Sequence, residues 1–183
     1  TIQVLSLLAI VKNQKSKVLI ICPASLKNNW FNEINKFYPT LSNEVSIIES
    51  ADDCTNISIA SYEQVRVNCT LFHKSDYDLL ILDESQRIKN KNTKTWSVIN
   101  EIFGDFRIVM TGTPIENSEN DLFSAISFIM RNQLPMEWER IERNREYSSF
   151  GGEDKVKVIT SFFKDVILSR KKIDHITLPS CTK

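Results

Sequence analysis

Short apolar runs alternate with amphipathic stretches along the 183 residues of the chain. Residues 79–82 read Leu-Leu-Ile-Leu, and residues 17–22 and 106–110 are also largely apolar. Unbroken runs of this length are typical of strands that are buried on both faces of a parallel sheet. Residues 45–48 and 57–60 are shorter strand candidates.

Helical spacing of apolar residues separates these runs. Residues 2–11 have two apolar stripes, which predicts a helix that is largely buried. Ser25 stands where a side chain caps a helix, and the apolar face of that helix includes Trp30 and Ile34. Further helices are predicted over residues 62–71, after the capping residue Thr93, and over residues 122–129.

Alternating strands and helices predict an α/β fold, with a mostly parallel sheet covered by helices on both sides. The pattern changes after residue 132, where charged residues are dense and Gly151-Gly152 marks a loop. Helical spacing returns around Phe163. We therefore predict a sheet domain over residues 1–132 and a C-terminal helical appendage over residues 133–183.

The composition is ordinary for a globular protein, with 42% apolar and 25% charged residues. Because 23 Lys and Arg balance 23 Asp and Glu, any nucleic-acid contact must come from a local patch. No apolar run approaches the length of a membrane span, so we expect no membrane partner. The four cysteines are scattered and only two histidines are present, which is not the spacing of a zinc site. We expect reduced thiols and an intracellular location.

Two adjacent carboxylates, Asp83 and Glu84, directly follow the apolar run 79–82. A strand buried on both faces cannot continue into two acids, so both are expected to emerge at its carboxyl end, where ligands bind in open α/β sheets. One carboxylate can organise hydrated magnesium while the other orients or deprotonates water, as phosphoryl transfer requires. Such a pair is also common in solvated turns, so by itself it does not decide the function.

Polar segments also follow two other apolar runs, at residues 23–30 and 111–114, and a parallel sheet would bring all three segments to one edge. Together they resemble the first RecA-like lobe of the SWI/SNF-type helicase-like ATPases, within helicase superfamily two. Motif II is matched by Leu-Asp-Glu-Ser-Gln-Arg-Ile-Lys-Asn and motif III by Met-Thr-Gly-Thr-Pro-Ile-Glu-Asn. The matching segments are residues 18–37 (motif Ia), 59–63 (Ib), 82–90 (II), 110–117 (III), and 117–128 and 168–179 (closing helices).

The resemblance implies a RecA-like three-layer domain that binds ATP and magnesium. Asp83 would organise the magnesium ion and Glu84 would be the base for the attacking water. Thr1 and Gln3 would contact the nucleotide, and the Thr1 hydroxyl would also reach the magnesium. The family's phosphate loop ends Gly-Lys-Thr before Ile-Gln, so its glycines, lysine and strand would stand upstream of Thr1.

Other residues take implied roles in coupling and in DNA binding. Gln86 would act beside the two acids and, with Thr111, Gly112 and Thr113, link hydrolysis to movement of the lobe. Ordinary turn chemistry explains the Thr-Gly-Thr-Pro segment equally well. The implied contacts to one DNA strand are Lys27, Asn29, Ser61, Tyr62 and Lys89, for which a merely solvated basic face is the alternative. A departure from the family is Ser85, where motif II usually has Ala or Gly.

The resemblance predicts the first lobe of an ATP-driven translocase or chromatin-remodelling protein that moves on double-stranded DNA. Its partners would be a second RecA-like lobe and DNA-bound protein complexes, in the nucleus of a eukaryote or the nucleoid of a bacterium. Because the second lobe supplies the arginine fingers, we expect the isolated 183-residue chain to be inactive. The alternatives are a strand-separating helicase of the same superfamily and a catalytically inactive interaction module.

Overall fold

Five strands form the sheet in the computed structural model, which describes residues 1–11, 16–50, 53, 55–112, 119–131, 161 and 163–168. The sheet order is β2-β3-β1-β4-β5, and each neighbouring pair is parallel. The α/β class and the parallel sheet are thus as predicted. The strands are β1 (Val18–Cys22), β2 (Val45–Ile47), β3 (Ile57–Ser61), β4 (Tyr77–Leu82) and β5 (Gly104–Val109).

Helices connect the strands and follow the last one. The α-helices are α1 (Ile2–Val11), α2 (Lys27–Phe37), α3 (Tyr62–Val67), α4 (Cys69–His73), α5 (Lys94–Glu101) and α6 (Glu119–Ile129). Short 3-10 helices occur at Ala24–Leu26, Pro39–Glu44 and Ser85–Ile88. None of the helices in the described ranges is long and apolar enough to cross a membrane.

Two apolar cores lie against opposite faces of the sheet, because successive strand residues point to opposite sides. One core packs Val18, Ile20 and Ile81 against helices α1 and α2. The other packs Leu19 and Leu80 against α3, α4, α5 and α6. This arrangement gives the predicted three layers of helix, sheet and helix.

Several local predictions are wrong in detail. Helix α1 is buried at Leu5 and Leu8, but Leu7 of the second stripe is 42% exposed, so the helix is less buried than predicted. Ser25 lies within a 3-10 turn and caps nothing, and α2 begins without a side-chain cap. The single helix expected over residues 62–71 is two helices that meet at Asn68.

The last strand is also less buried than its sequence suggested. Strand β5 lies at the edge of the described sheet, and Phe106 is 65% exposed. Arg107 on the same strand is buried, with Nη1 donating to the Phe128 carbonyl (2.9 Å) and Nη2 to the Ile102 carbonyl (2.6 Å). The apolar run at residues 106–110 therefore belongs to an edge strand, and its one arginine, Arg107, packs inward.

The chain divides into two compact units, Thr1–Arg143 and Asn144–Lys183. The five strands and six α-helices of the described residues belong to the first unit. Nearly all of the helical appendage that was expected over residues 133–183 lies outside the described residues. Its boundary at residue 132 stays a prediction.

Candidate active site at the carboxyl edge of the sheet

The carboxyl ends of β1, β4 and β5 lie at one edge of the sheet, as was predicted for the three polar segments that follow these strands. The Asp83 N–H donates to the Ile21 carbonyl (2.9 Å), which continues the pairing of β4 with β1. The Ser85 N–H donates to the Met110 carbonyl (2.9 Å), and the Met110 N–H to the Leu82 carbonyl (2.8 Å). The segments that follow β4 and β5 are thereby held side by side.

The Asp83 carboxylate is half-buried and has a donor on each oxygen. The Glu84 backbone N–H donates to Oδ1 (2.9 Å), and the Trp30 indole Nε1 donates to Oδ2 (2.8 Å). The Tyr62 hydroxyl donates to the Asp83 carbonyl oxygen (2.8 Å). Trp30 and Tyr62 belong to cores on opposite faces of the sheet, so Asp83 is held from both sides.

Glu84 adopts a left-handed backbone conformation, with φ 52° and ψ 55°. Non-glycine residues pay a steric penalty in this region, and such strain concentrates at functional sites. The conformation ends β4 and starts the 3-10 helix Ser85–Ile88. A sharp change of direction therefore separates the two acids, and their side chains have different hydrogen-bond partners.

A chain of side-chain contacts joins Glu84 to the segment after β5. Gln86 Nε2 donates to Glu84 Oε2 (2.9 Å), and the Thr111 hydroxyl donates to Gln86 Oε1 (3.3 Å). Gly112 lies beside the same carboxylate, since a Cβ placed on it would be 3.7 Å from Glu84 Oε1. The structure thus brings together four of the predicted site residues, whereas Thr113 lies outside the described residues.

The groups beneath the two acids are neutral. Burial raises the pKa of the Cys22 thiol to about 12; the Asp83 charge adds to the increase and the Lys27 ammonium opposes it. Burial, followed by the Asp83 charge, also raises the pKa of the Tyr62 phenol. Cys22 therefore behaves as a small apolar residue, as expected, and Tyr62 stays a hydrogen-bond donor. The negative charge of this edge is on Asp83 and Glu84.

This donor set suits magnesium with ATP better than a metal enclosed by protein. Among the described residues, no three His, Cys, Asp or Glu side chains are grouped so that they could hold a metal ion. Magnesium in nucleotide sites is bound by one or two carboxylates, with phosphate and water completing its shell. Each Asp83 oxygen accepts one hydrogen bond in the described structure and has a further lone pair for such a ligand.

The side chains predicted to contact DNA have unequal exposure. Asn29 on α2 and Lys89 after the 3-10 helix are exposed. Lys27 is part-buried, and its ammonium contacts Glu49 Oε1 (2.7 Å) and Gln64 Oε1 (3.3 Å). Its DNA contact stays a prediction.

Ser61 and Tyr62 are buried and hydrogen-bonded within the domain. The Ser61 hydroxyl caps α3 by accepting from the Gln64 N–H (3.1 Å), and the Tyr62 hydroxyl contacts the Asp83 carbonyl. Their DNA contacts, like the nucleotide contacts of Thr1 and Gln3 at the exposed start of α1, stay predictions.

Comparison with known proteins identifies the family. The family model described as SNF2-related domain matches residues 1–183. The chain belongs to the SNF2-related domain family. A solved structure with the same fold, the Sulfolobus solfataricus SWI2/SNF2 ATPase core in complex with dsDNA, is 29% identical. Its TM-score is 0.71 over 88% of this chain and 36% of that one. The RecA-like expectation is confirmed by this match.

Curated relatives of this SNF2-related domain are longer proteins. The DNA repair and recombination protein RAD54-like of Danio rerio is 30% identical over an alignment of 135 positions, which covers 64% of this chain and 18% of that protein. The TATA-binding protein-associated factor MOT1 of Saccharomyces cerevisiae is 30% identical over an alignment of 188 positions, which covers 91% of this chain and 10% of that protein. The chain thus spans less than a fifth of the length of either relative.

Sequence reasoning missed two contacts of this SNF2-related domain. Trp30 was assigned to the core alone, although its indole nitrogen donates to Asp83. Ser124 on α6 donates to the Lys89 carbonyl (2.6 Å) and so joins α6 to the segment after the two acids. Neither contact has a sequence signal, because each joins residues more than thirty positions apart in the chain.

Proposed function

We propose that this SNF2-related domain is the first ATP-binding lobe of an ATPase that moves along double-stranded DNA. The observation that best supports the proposal is the hydrogen-bonded chain from Glu84 through Gln86 to Thr111, next to Asp83 at the carboxyl edge of the sheet. Two acids with separate partners suit two different tasks in phosphoryl transfer.

In this proposal Asp83 binds magnesium and Glu84 positions the attacking water and accepts its proton. Magnesium bound there supplies positive charge to the phosphate oxygens of ATP. Glu84 is suited to the base role because its carboxylate lies beside Gly112 and has Oε2 held by Gln86. Gln86 and Thr111 would transmit the state of the site to the segment after β5. Thr1 and Gln3 would contact the nucleotide.

In this proposal the exposed Asn29 and Lys89 contact DNA directly. The segments that contain Lys27, Ser61 and Tyr62 also contact it. Contacts of this kind to phosphates give affinity without reading the base sequence, as movement along DNA requires. A second lobe would close the nucleotide cleft, and proteins bound to DNA would be displaced or repositioned. In a eukaryote the protein would act in the nucleus.

The test is ATP hydrolysis by the natural protein that contains this chain, measured without DNA, with single strands and with duplex DNA. We expect duplex DNA to stimulate hydrolysis and the protein to displace a third strand from a DNA triplex while leaving the duplex paired. Separation of the duplex strands would favour the helicase alternative. Absence of magnesium-dependent hydrolysis under all three conditions would favour a catalytically inactive interaction module.

A further inference from the structure

Trp30 is an unusual residue to find beside a carboxylate at a ligand-binding edge. Its side chain is 1% exposed and packs in the core between the sheet and helices α1 and α2. A buried indole N–H needs a hydrogen-bond partner, and Asp83 Oδ2 provides one at 2.8 Å. Hydrogen bonds to an ionised acceptor are stronger than those between neutral groups.

The hydrogen bond sets the direction of the Asp83 carboxylate. Oδ2 accepts from Trp30 and Oδ1 accepts from the Glu84 N–H, so rotation of the carboxylate would break both contacts. The indole nitrogen is a donor only and cannot compete with Asp83 for a cation. The lone pairs that remain on the two oxygens are therefore directed before any ligand arrives.

A second tryptophan shows that this contact is not a general feature of the fold. The Trp96 indole nitrogen is also buried, and it has no hydrogen-bond partner in the described part of the chain. Packing is thus enough to hold a tryptophan in this domain. The Trp30 indole makes a contact beyond packing, and that contact is to Asp83.

We propose that Trp30 is a positioning residue that orients Asp83 for magnesium. This inference rests on the proposed function, since it assumes that Asp83 binds the metal of the nucleotide site. Partners that orient a metal-binding side chain typically change metal affinity about 10- to 100-fold when they are removed. The Trp30→Phe variant keeps an aromatic ring in the core and removes the N–H, and Trp96→Phe is the matched control.

The first experiment tests the hydrogen bond in the 183-residue chain itself. The chain has three tryptophans, and the indole signal of Trp30 in a ¹H–¹⁵N spectrum is assigned by its loss in Trp30→Phe. We expect Asp83→Asn to move the Trp30 signal while the Trp96 signal stays in place, because the Trp30 indole donates to Asp83 and the Trp96 indole does not. An unmoved Trp30 signal would overturn the proposal.

The second experiment measures the magnesium dependence of ATP hydrolysis in the natural protein. We expect Trp30→Phe to raise the magnesium concentration for half-maximal rate by about tenfold or more, with most of the rate restored at saturating magnesium. Trp96→Phe should leave the magnesium requirement unchanged. A purely structural role would lower the melting temperature of Trp30→Phe without changing the magnesium requirement, and that result would overturn the proposal.

If Trp30→Phe does not fold, replacement of Trp30 by benzothienylalanine removes the N–H and preserves the shape of the ring. The same shift in magnesium requirement is then expected, and a normal requirement overturns the positioning role. If the wild-type protein hydrolyses ATP and the Trp30 variant has a normal magnesium requirement, this inference alone is refuted. A wild-type protein without magnesium-dependent hydrolysis refutes the proposed function and this inference together.

Discussion

At the scale of single residues, Asp83 and Glu84 are neighbours with separate environments. Asp83 is held by donors on both of its carboxylate oxygens, whereas Glu84 has its carboxylate held by Gln86 after a left-handed turn of the backbone. The backbone turn separates two side chains that would otherwise emerge from the same strand end. Two adjacent acids can therefore have different chemical tasks.

The two acids should respond differently to neutralisation in the natural protein. Glu84→Gln keeps the size and hydrogen bonding of the side chain, so nucleotide binding should survive while hydrolysis falls by about a hundredfold or more through loss of the base. Asp83→Asn should weaken magnesium-dependent nucleotide binding as well as hydrolysis. The measurements are steady-state hydrolysis with saturating duplex DNA and nucleotide affinity with magnesium. Near-normal hydrolysis in Glu84→Gln would mean that the base is elsewhere.

At the scale of secondary-structure elements, the start of α3 is fixed by side-chain hydrogen bonds. Ser61 and Gln64 form a reciprocal capping box, and Gln64 Nε2 also donates to the Ile48 carbonyl (2.6 Å). Lys27 on α2 contacts the same glutamine. The motif Ib segment is thereby joined to the end of β2 and to α2, and its position depends on a capping box whose Ser-x-x-Gln signature is present at residues 61–64.

Removal of this cap should destabilise the domain. We expect Ser61→Ala to lower the free energy of unfolding by about 1 kcal/mol, because the Gln64 N–H loses its acceptor. Ser25→Ala is the matched control, since exposed Ser25 caps no helix and its change should stay within about 0.5 kcal/mol. Urea denaturation of the chain without DNA measures both. Equal effects of the two substitutions would contradict the capping role.

The buried Arg107 joins three elements. Besides its bonds to the carbonyls of Ile102 and Phe128, Nη2 donates to the Asn100 carbonyl (3.2 Å), and the guanidinium lies 4.6 Å from the centre of the Phe128 ring. Burial, with a smaller effect of Arg131, lowers its pKa to about 10, so it is a cation at neutral pH. A cation is favourable there because the carbonyls lie at the ends of α5 and α6.

Truncation of this arginine should be costly. Arg107→Met fills much of the same space but removes the donor to the Ile102 carbonyl, and the Phe128 carbonyl keeps only the Arg131 N–H (3.3 Å). Each buried group left unsatisfied costs about 1–3 kcal/mol. We expect a loss of at least about 2 kcal/mol in unfolding free energy by urea denaturation. Arg66→Met, at an exposed site on α3, is the control and should change stability by no more than about 0.5 kcal/mol. A comparable loss in both variants would argue against the tethering role.

At the scale of the whole molecule, the site that the structure describes contains the two acids and the residues that are hydrogen-bonded to them. In the proposed function, a second lobe supplies the arginine fingers. An arginine finger contributes about a thousandfold or more to phosphoryl transfer. We therefore expect the 183-residue chain alone to hydrolyse ATP no faster than a buffer blank, measured by phosphate release with and without duplex DNA. DNA-stimulated turnover by the chain alone would refute this expectation.

The sequence by itself determined the class of the fold and the place of the site. Buried strands show as largely apolar runs, because a strand covered on both faces favours apolar side chains. The runs before Asp83 and before Thr111 therefore located both strands and the edge where their polar residues meet. Edge strand β5 was harder to judge, since an exposed Phe106 and an inward Arg107 reverse the usual preference of each residue type.

Only the tertiary structure decided which residues support the site. Trp30 looked like an ordinary core residue, and Ser61 and Tyr62 like contacts for DNA, whereas all three have hydrogen bonds inside the domain, two of them to Asp83. The Ser61 cap is local, whereas the contacts of Trp30 and Tyr62 join residues that are distant in the chain. Hydrophobic periodicity reports which face of an element is buried, but it does not report which polar atom the buried side chain meets there.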